Sequence, residues 1–145
     1  MKHDAEGDTT EKRIDLLNRA VAYQLTAVHQ YLYFHFHCHH QGYHLLAGLF
    51  RRTAIEEMLH IERIAERILF MKGDLKLAAA EPVLEVKDTT AMLQRARSME
   101  EQCIRDYSRW AEASGAAADA VSQRLFQSLL ADEERHYDQF DWSSF

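Results

Sequence analysis

Apolar residues recur along this chain at alternating spacings of three and four, the period of one face of an α-helix, in four separate runs. The first is Ile14, Leu17, Val21, Gln24, Val28, Tyr31, His35 and Cys38, ending near Gln41-Gly42. The second, Leu46, Phe50, Thr53, Glu57, His60, Ile64, Ile68 and Met71, stops at Gly73. Met92, Ala96, Met99, Glu100, Cys103, Tyr107 and Trp110 make the third, closed by Ser114-Gly115, and Ser122, Phe126, Leu129, Glu133, His136 and Phe140 the fourth. The pattern predicts helices over roughly 9–41, 44–72, 88–114 and 119–141. Asp8 with Glu11 three positions on reads as a capping box, and Asp88 and Asp119 stand where later helices need N-caps.

Residues 74–87 contain the lone proline, Pro82, and have no helical period. Helices of roughly 25 residues are about 38 Å long, and fourteen extended residues reach roughly 46 Å. This segment can therefore cross the whole bundle and let the second and third helices run parallel. The expected architecture is all-α, one domain over 1–145: two antiparallel hairpins joined by one long crossover, the ferritin-like connection.

Composition sharpens this without changing it. One proline and five glycines leave too little punctuation for many short strands. Hydrophobic residues at 47% and charged residues at 28% are globular proportions. A formal charge of -6 with no basic block argues against nucleic acid and makes cations the natural partner. Cys38 and Cys103 lie inside helical runs without CxxC spacing, which predicts buried thiols in a reducing compartment. No apolar run reaches membrane length and residues 1–10 are polar, so a cytoplasmic protein is expected.

The polar members of the apolar runs are where chemistry enters. Glu57 and His60, and again Glu133 and His136, are glutamate–histidine pairs three apart, a spacing that puts both side chains on one helix face. Glu100 falls on the inward face of a third helix and Gln24 on that of the first. Gln24 precedes Glu57 by 33 residues and Glu100 precedes Glu133 by the same 33, so each half offers one polar core residue and then a Glu-x-x-His. One such pair is ordinary on a helix surface; two on apolar faces, with Glu100 between them, are not. Buried carboxylates need a proton, a hydrogen bond or a cation. Carboxylate and imidazole donors together suit iron or manganese, with zinc able to compete, and one carboxylate from each pair could bridge two metals while the histidines cap them.

Leu25-Thr26-Ala27-Val28-His29-Gln30-Tyr31, Glu57-Met58-Leu59-His60, Glu66-Arg67-Ile68-Leu69-Phe70 and Asp132-Glu133-Glu134-Arg135-His136 resemble the bacterioferritins, a likeness running from about Ile14 to Trp142. The resemblance implies Glu57 and Glu133 as bridging carboxylates, His60 and His136 as terminal histidines, Glu100 as a terminal glutamate and Tyr31 as the tyrosine beside the iron site. It implies Met58 as an axial haem ligand shared across a two-fold dimer, and oxidation of Fe(II) by dioxygen or peroxide, with iron storage inside a hollow homo-oligomer.

Three departures qualify that expectation. Gln24 stands where the family has a glutamate ligand; an amide oxygen coordinates weakly and brings no charge, so three carboxylates face the four positive charges of a diferrous pair. The metal on the His60 side should bind more weakly, leaving a slow or mononuclear centre. The sequence also stops at Phe145, short of the family's fifth helix, so a smaller cage or a dimer is expected beside the full shell. Finally, His35, His37, His39, His40 and His44 cluster at the first helix end; His35 with His39 and His40 with His44 have metal-binding spacing, and no role is assigned to them. The sequence thus supports a ferroxidase, and alternatively a non-catalytic haem-binding or structural subunit with a degenerate site. A dinuclear oxidase or peroxidase of rubrerythrin type is the third reading, weakened by the lack of rubredoxin-type cysteine pairs.

Overall fold

The computed structural model describes residues 2–141, with side chains from residue 9 onward; Trp142, the expected end of the likeness, and Phe145 lie outside them. Four helices follow in order: α1 (Lys2–His40), α2 (His44–Phe70), α3 (Thr89–Ala116) and α4 (Ala120–Gln139). Among the described residues there is no strand, and no helix is long and apolar enough to cross a membrane.

The first helix starts earlier than its cap signal suggests. Residues 2–8 contain neither proline nor a β-branched side chain, so nothing forces a stop there, and α1 runs through Asp8 from Lys2. The side chain of Asp8 lies outside the described ones. The other two caps are as expected: Asp88 accepts from the Ala91 N–H at 3.0 Å and Asp119 from the Ser122 N–H at 3.1 Å.

Helix ends show why glycine is an incomplete stop signal. After α1, Gly42 takes φ +89 and the Tyr43 N–H reaches back to the Cys38 carbonyl at 2.9 Å, the Schellman closure. After α2 and α3 the left-handed residues are Lys72 and Ala118, not the nearby Gly73 and Gly115. Those two glycines serve proximity: a Cβ on Gly73 would meet Ile14 at 2.8 Å, and one on Gly115 would meet the Gln123 side chain at 2.4 Å.

The crossover is held by polar side chains of α1. Asn18 donates to the Asp74 carbonyl and accepts from the Lys76 N–H, at 2.8 and 2.9 Å. Thr26 Oγ1 accepts from the Ala80 N–H at 2.9 Å, and Gln30 pairs with both backbone groups of Leu84 at 2.8 and 3.0 Å. Gln41 donates to the Lys87 carbonyl at 3.1 Å. An extended strand lacking a sheet partner finds its hydrogen bonds this way. Contacts that advance from Asn18 to Gln41 as the crossover advances from Asp74 to Lys87 show it running alongside α1 in the same direction. Hence α3 begins at the C-terminal end of α1 and lies parallel to α2.

Two apolar clusters flank the middle of the bundle. One gathers Tyr31, Phe34, Phe50, Met92, Ala96 and Phe140; the other Leu17, Val21, Ile64, Ile68, Tyr107, Trp110, Phe126 and Leu129. Full burial of each large side chain contributes about 1.5–3 kcal/mol. Cys38 and Cys103 are buried free thiols within them.

Asp119 ties three helices at one end of the bundle. Besides capping α4 it receives Arg13 from α1 at 2.6 Å and Arg67 from α2 at 2.7 Å. Burial alone would raise its pKa, but Ser122 and the two guanidinium groups outweigh that and bring it down to about 2. A carboxyl with a depressed folded pKa contributes stability that is present above its unfolded value and lost as pH falls through the folded one. Asp119→Ala is expected to lower the unfolding free energy by about 3 kcal/mol at neutral pH. In urea titrations the gap from the parent should close between about pH 4 and pH 2.

Candidate metal centre

Between the two apolar clusters lies one polar layer, fed by all four helices. Gln24, Glu57, His60, Glu100, Glu133 and His136 are all buried. The helical period makes this unavoidable: once Val21, Phe50, Ala96 and Leu129 face the core, Gln24, Glu57, Glu100 and Glu133, three, seven, four and four positions further along the same faces, follow them in.

The structure brings the residues expected from the sequence together. Ligand atoms of Glu57, Glu100, Glu133 and His136 lie within 4.8 Å of one another. The His136 Nδ1 is 3.4 Å from Glu57 Oε1, 3.2 Å from Glu133 Oε1 and 3.8 Å from Glu100 Oε1. On the other side the His60 Nδ1 is 3.1 Å from Glu57 Oε1 and 3.5 Å from Glu133 Oε1. Glu57 and Glu133 thus stand between two imidazoles, and Glu100 stands beside one of them.

Carboxylates that the sequence reading passed over orient both rings. His60 Nε2 lies 2.8 Å from Asp132 Oδ2 on α4, and His136 Nε2 lies 2.5 Å from Glu56 Oε2 on α2. Each acid immediately precedes one Glu-x-x-His and serves the histidine of the other, so the two motifs are cross-braced. An ionised carboxylate only accepts, which places the proton of a neutral ring on Nε2 and leaves Nδ1 bare toward the layer. The doubled acid in Glu56-Glu57 and in Asp132-Glu133 was the available signal, but which histidine each one serves is a tertiary fact.

The layer is electrostatically unsatisfied. His60 Nδ1, His136 Nδ1, Glu133 Oε1 and Glu100 Oε2 are buried without a hydrogen-bond partner. Burial and the neighbouring carboxylates push Glu57 and Glu100 well above the usual range, Tyr31 partly offsetting this at Glu100 by donating to its Oε1 at 2.6 Å. Glu133 goes the other way: burial raises it, but the adjacent His136, Glu57 and His60 side chains prevail. Lone pairs aimed at carboxylate oxygens repel unless a proton or cation lies between them, so this donor set fits a metal.

Gln24 takes a different role from the other five. The amide orientation that satisfies both ends has Nε2 donating to Glu57 at 3.0 and 3.1 Å and Oε1 accepting from the Tyr107 hydroxyl at 2.6 Å; the reverse orientation turns Oε1 onto the Glu57 carboxyl. The oxygen that could coordinate a metal is held by Tyr107, another buried partner unforeseen from the sequence. Its nitrogen donates to a carboxylate, filling the position with a proton donor.

The layer is also reachable. A cavity of about 20 Å³ touches Tyr31, Glu57, Glu100 and Cys103 inside and Ala80, Glu81 and Gln102 at the surface, passing between α1 and α3 beside the crossover. That is room for about one water. Met58 points elsewhere: it is 47% exposed on α2, beside exposed Ile55 and Leu59.

A four-helix bundle with one long crossover and this carboxylate–histidine layer defines a ferritin-like protein. The family model described as the ferritin-like domain matches residues 14–141. Bacterioferritin of Rhodobacter capsulatus is 33% identical over 139 residues, covering 95% of this chain and 82% of that protein. The chain belongs to the bacterioferritins. The X-ray structure of Desulfovibrio desulfuricans bacterioferritin, which records a diiron site in different catalytic states, superposes with a TM-score of 0.91 at 29% identity, over 94% of this chain and 80% of that one. The Rhodobacter capsulatus structure, with a metal-free dinuclear site and its haem iron in a crystallographic special position, gives 0.87 at 30%, over 90% and 82%.

Proposed function

We propose that this protein binds iron in the polar layer and oxidises Fe(II), with dioxygen or peroxide as the oxidant. The observation that carries the reading is the pair of buried histidine Nδ1 atoms, neither with a hydrogen-bond partner, that face the likewise unpartnered Glu133 Oε1 at 3.2 and 3.5 Å. A hydrogen-bonded structural core would have no use for them. Support also comes from the diiron site of the Desulfovibrio desulfuricans relative.

The two sides of the layer are unequal. Glu57, Glu100, Glu133 and His136 form a complete set for one ion. His60 shares Glu57 and Glu133 for a second ion, but there Gln24 offers a committed amide in place of a charge. The first Fe(II) would bind on the His136 side and the second more weakly. Two Fe(II) ions together supply the two electrons that convert dioxygen and two protons into hydrogen peroxide. Glu57 and Glu100, held above the usual carboxyl range by burial and crowding, give up their protons when a cation enters. Asp132 and Glu56 keep both imidazoles in the ligating tautomer. Manganese or zinc can occupy the same donors.

Titration with anaerobic Fe(II) followed by air is the direct test. Ferric absorbance should develop in the parent protein and fall at least 100-fold in rate in Glu133→Ala; a parent no faster than buffer sinks the proposal. Gln24 favours a second reading, a non-catalytic haem-binding or structural subunit, and that null rate would select it.

Haem fits outside the bundle. The Met58 thioether is exposed in an apolar strip with Ile55 and Leu59 that the chain itself leaves uncovered. A second copy related by a two-fold axis would bring another Met58 opposite, and the two thioethers would hold the haem iron between them. The special position of the haem iron in the Rhodobacter capsulatus relative accords with a group shared by symmetry. Reconstituted protein should show a Soret band that Met58→Ala loses while Fe(II) oxidation persists; an unchanged band would place haem elsewhere. Storage of ferric mineral follows if the homo-oligomer closes into a cage.

A further inference from the structure

The histidines at the turn between α1 and α2 form a cluster that the buried layer does not use. His35 and His39 have ring centres 6.2 Å apart, and His39 and His44 have theirs 5.2 Å apart. His39 therefore lies between two other imidazoles, one a helical turn before it and one contributed by the start of α2. The sequence offered His35 with His39 and His40 with His44 by spacing alone; the structure places His39, not His40, against His44. Gly42, with φ +89, reverses the chain and brings His44 back onto His39.

His35 is already set for ligation. Its Nδ1 lies 2.8 Å from the Ala47 carbonyl, which can only accept, so the proton resides on Nδ1 and Nε2 keeps a free lone pair. That arrangement, one ring nitrogen donating to a backbone carbonyl, is the common support of a metal-binding histidine. His39 and His44 are exposed, and among the described residues no hydrogen bond or ion pair occupies their nitrogens. His37 is excluded, since its ring stacks on Tyr33 with centres 4.3 Å apart.

The spacing suits a cation. Two imidazoles bound tetrahedrally at the usual metal–nitrogen distance have ring centres about 5 Å apart. His39 and His44 have that separation between ring centres, His35 lies 6.2 Å from His39, and rotation of the exposed His39 and His44 rings would turn the three nitrogens onto one ion. We propose that His35, His39 and His44 form a second metal site, separate from the buried layer, for a divalent first-row transition ion. Three neutral imidazoles carry no charge to hold Mg(II) or Ca(II) and rank zinc, nickel and copper above iron and manganese. The site shares no residue with the polar layer, so its occupancy is independent of iron oxidation.

Zinc is the probe. Zn(II) titration of the full chain by calorimetry, with zinc-edge anomalous diffraction, should show an ion bonded to His39 at the turn. His39→Ala should weaken that ion at least 100-fold, while His40→Ala leaves it unchanged and both variants oxidise Fe(II) at the parent rate. Equal zinc affinity in His39→Ala and the parent, or an equal loss in His40→Ala, would overturn the assignment. Loss of iron oxidation in Glu133→Ala with the turn site intact would show the two proposals standing separately.

Discussion

Anaerobic Fe(II), or Mn(II) as a substitute that does not react with air, is expected to raise the midpoint of thermal unfolding by roughly 5–10 °C at one hundred times its dissociation constant. Glu57→Gln should nearly abolish that rise. The metal-free variant should nonetheless be as stable as the parent or more stable, by up to about 1 kcal/mol. The sign follows from the layer. Glu57 is a buried acid whose carboxyl is pushed well above the usual range by burial and by Glu133 and Glu100, and an amide of the same shape can donate to Glu133 without adding charge. A purely structural polar layer predicts the reverse, a less stable variant, because a satisfied network loses a member. Calorimetry of parent and variant, with and without metal, decides it: a destabilised variant that keeps the metal increment would remove the metal assignment.

Gln24→Glu should have the second large effect, in opposite directions on two observables. Without metal it adds a fourth carboxyl to a layer already short of protons and takes from Glu57 an amide donor. A loss of about 1–3 kcal/mol is expected in urea titrations. With Fe(II) present the new carboxylate completes the His60 side. Tight binding should move from one ion per chain toward two, and the initial oxidation rate should rise at least tenfold. Equal rates in both proteins would show that Gln24 does not limit the reaction, and Tyr107 releasing the amide oxygen to the metal would then be the explanation to test.

Much of this was legible before any coordinates. The four apolar runs placed the helices, and Gln24, Glu57, His60, Glu100, Glu133 and His136, polar residues that interrupt them, are buried in one layer, because a side chain at core phase on a packed helix has nowhere else to go. The long gap around Pro82 correctly implied a crossover and parallel second and third helices. Polar neighbours were less legible. Asn18, Thr26 and Gln30 fall outside the apolar run of α1, yet they are the hydrogen-bond ladder that fastens the crossover. Tyr107 read as an ordinary core aromatic, yet its hydroxyl lies 2.6 Å from the Gln24 amide.

Periodicity along one chain therefore determined which residues face inward, the helix order and the phase of the two Glu-x-x-His motifs, and the resemblance of a few short stretches pointed to the family. Only the tertiary structure decided who meets whom: Glu56 with His136, Asp132 with His60, His44 with His39 rather than His40. Those pairings depend on how one helix is rotated and shifted against another and on where a single left-handed residue turns the chain. Spacing within a helix carries no record of either.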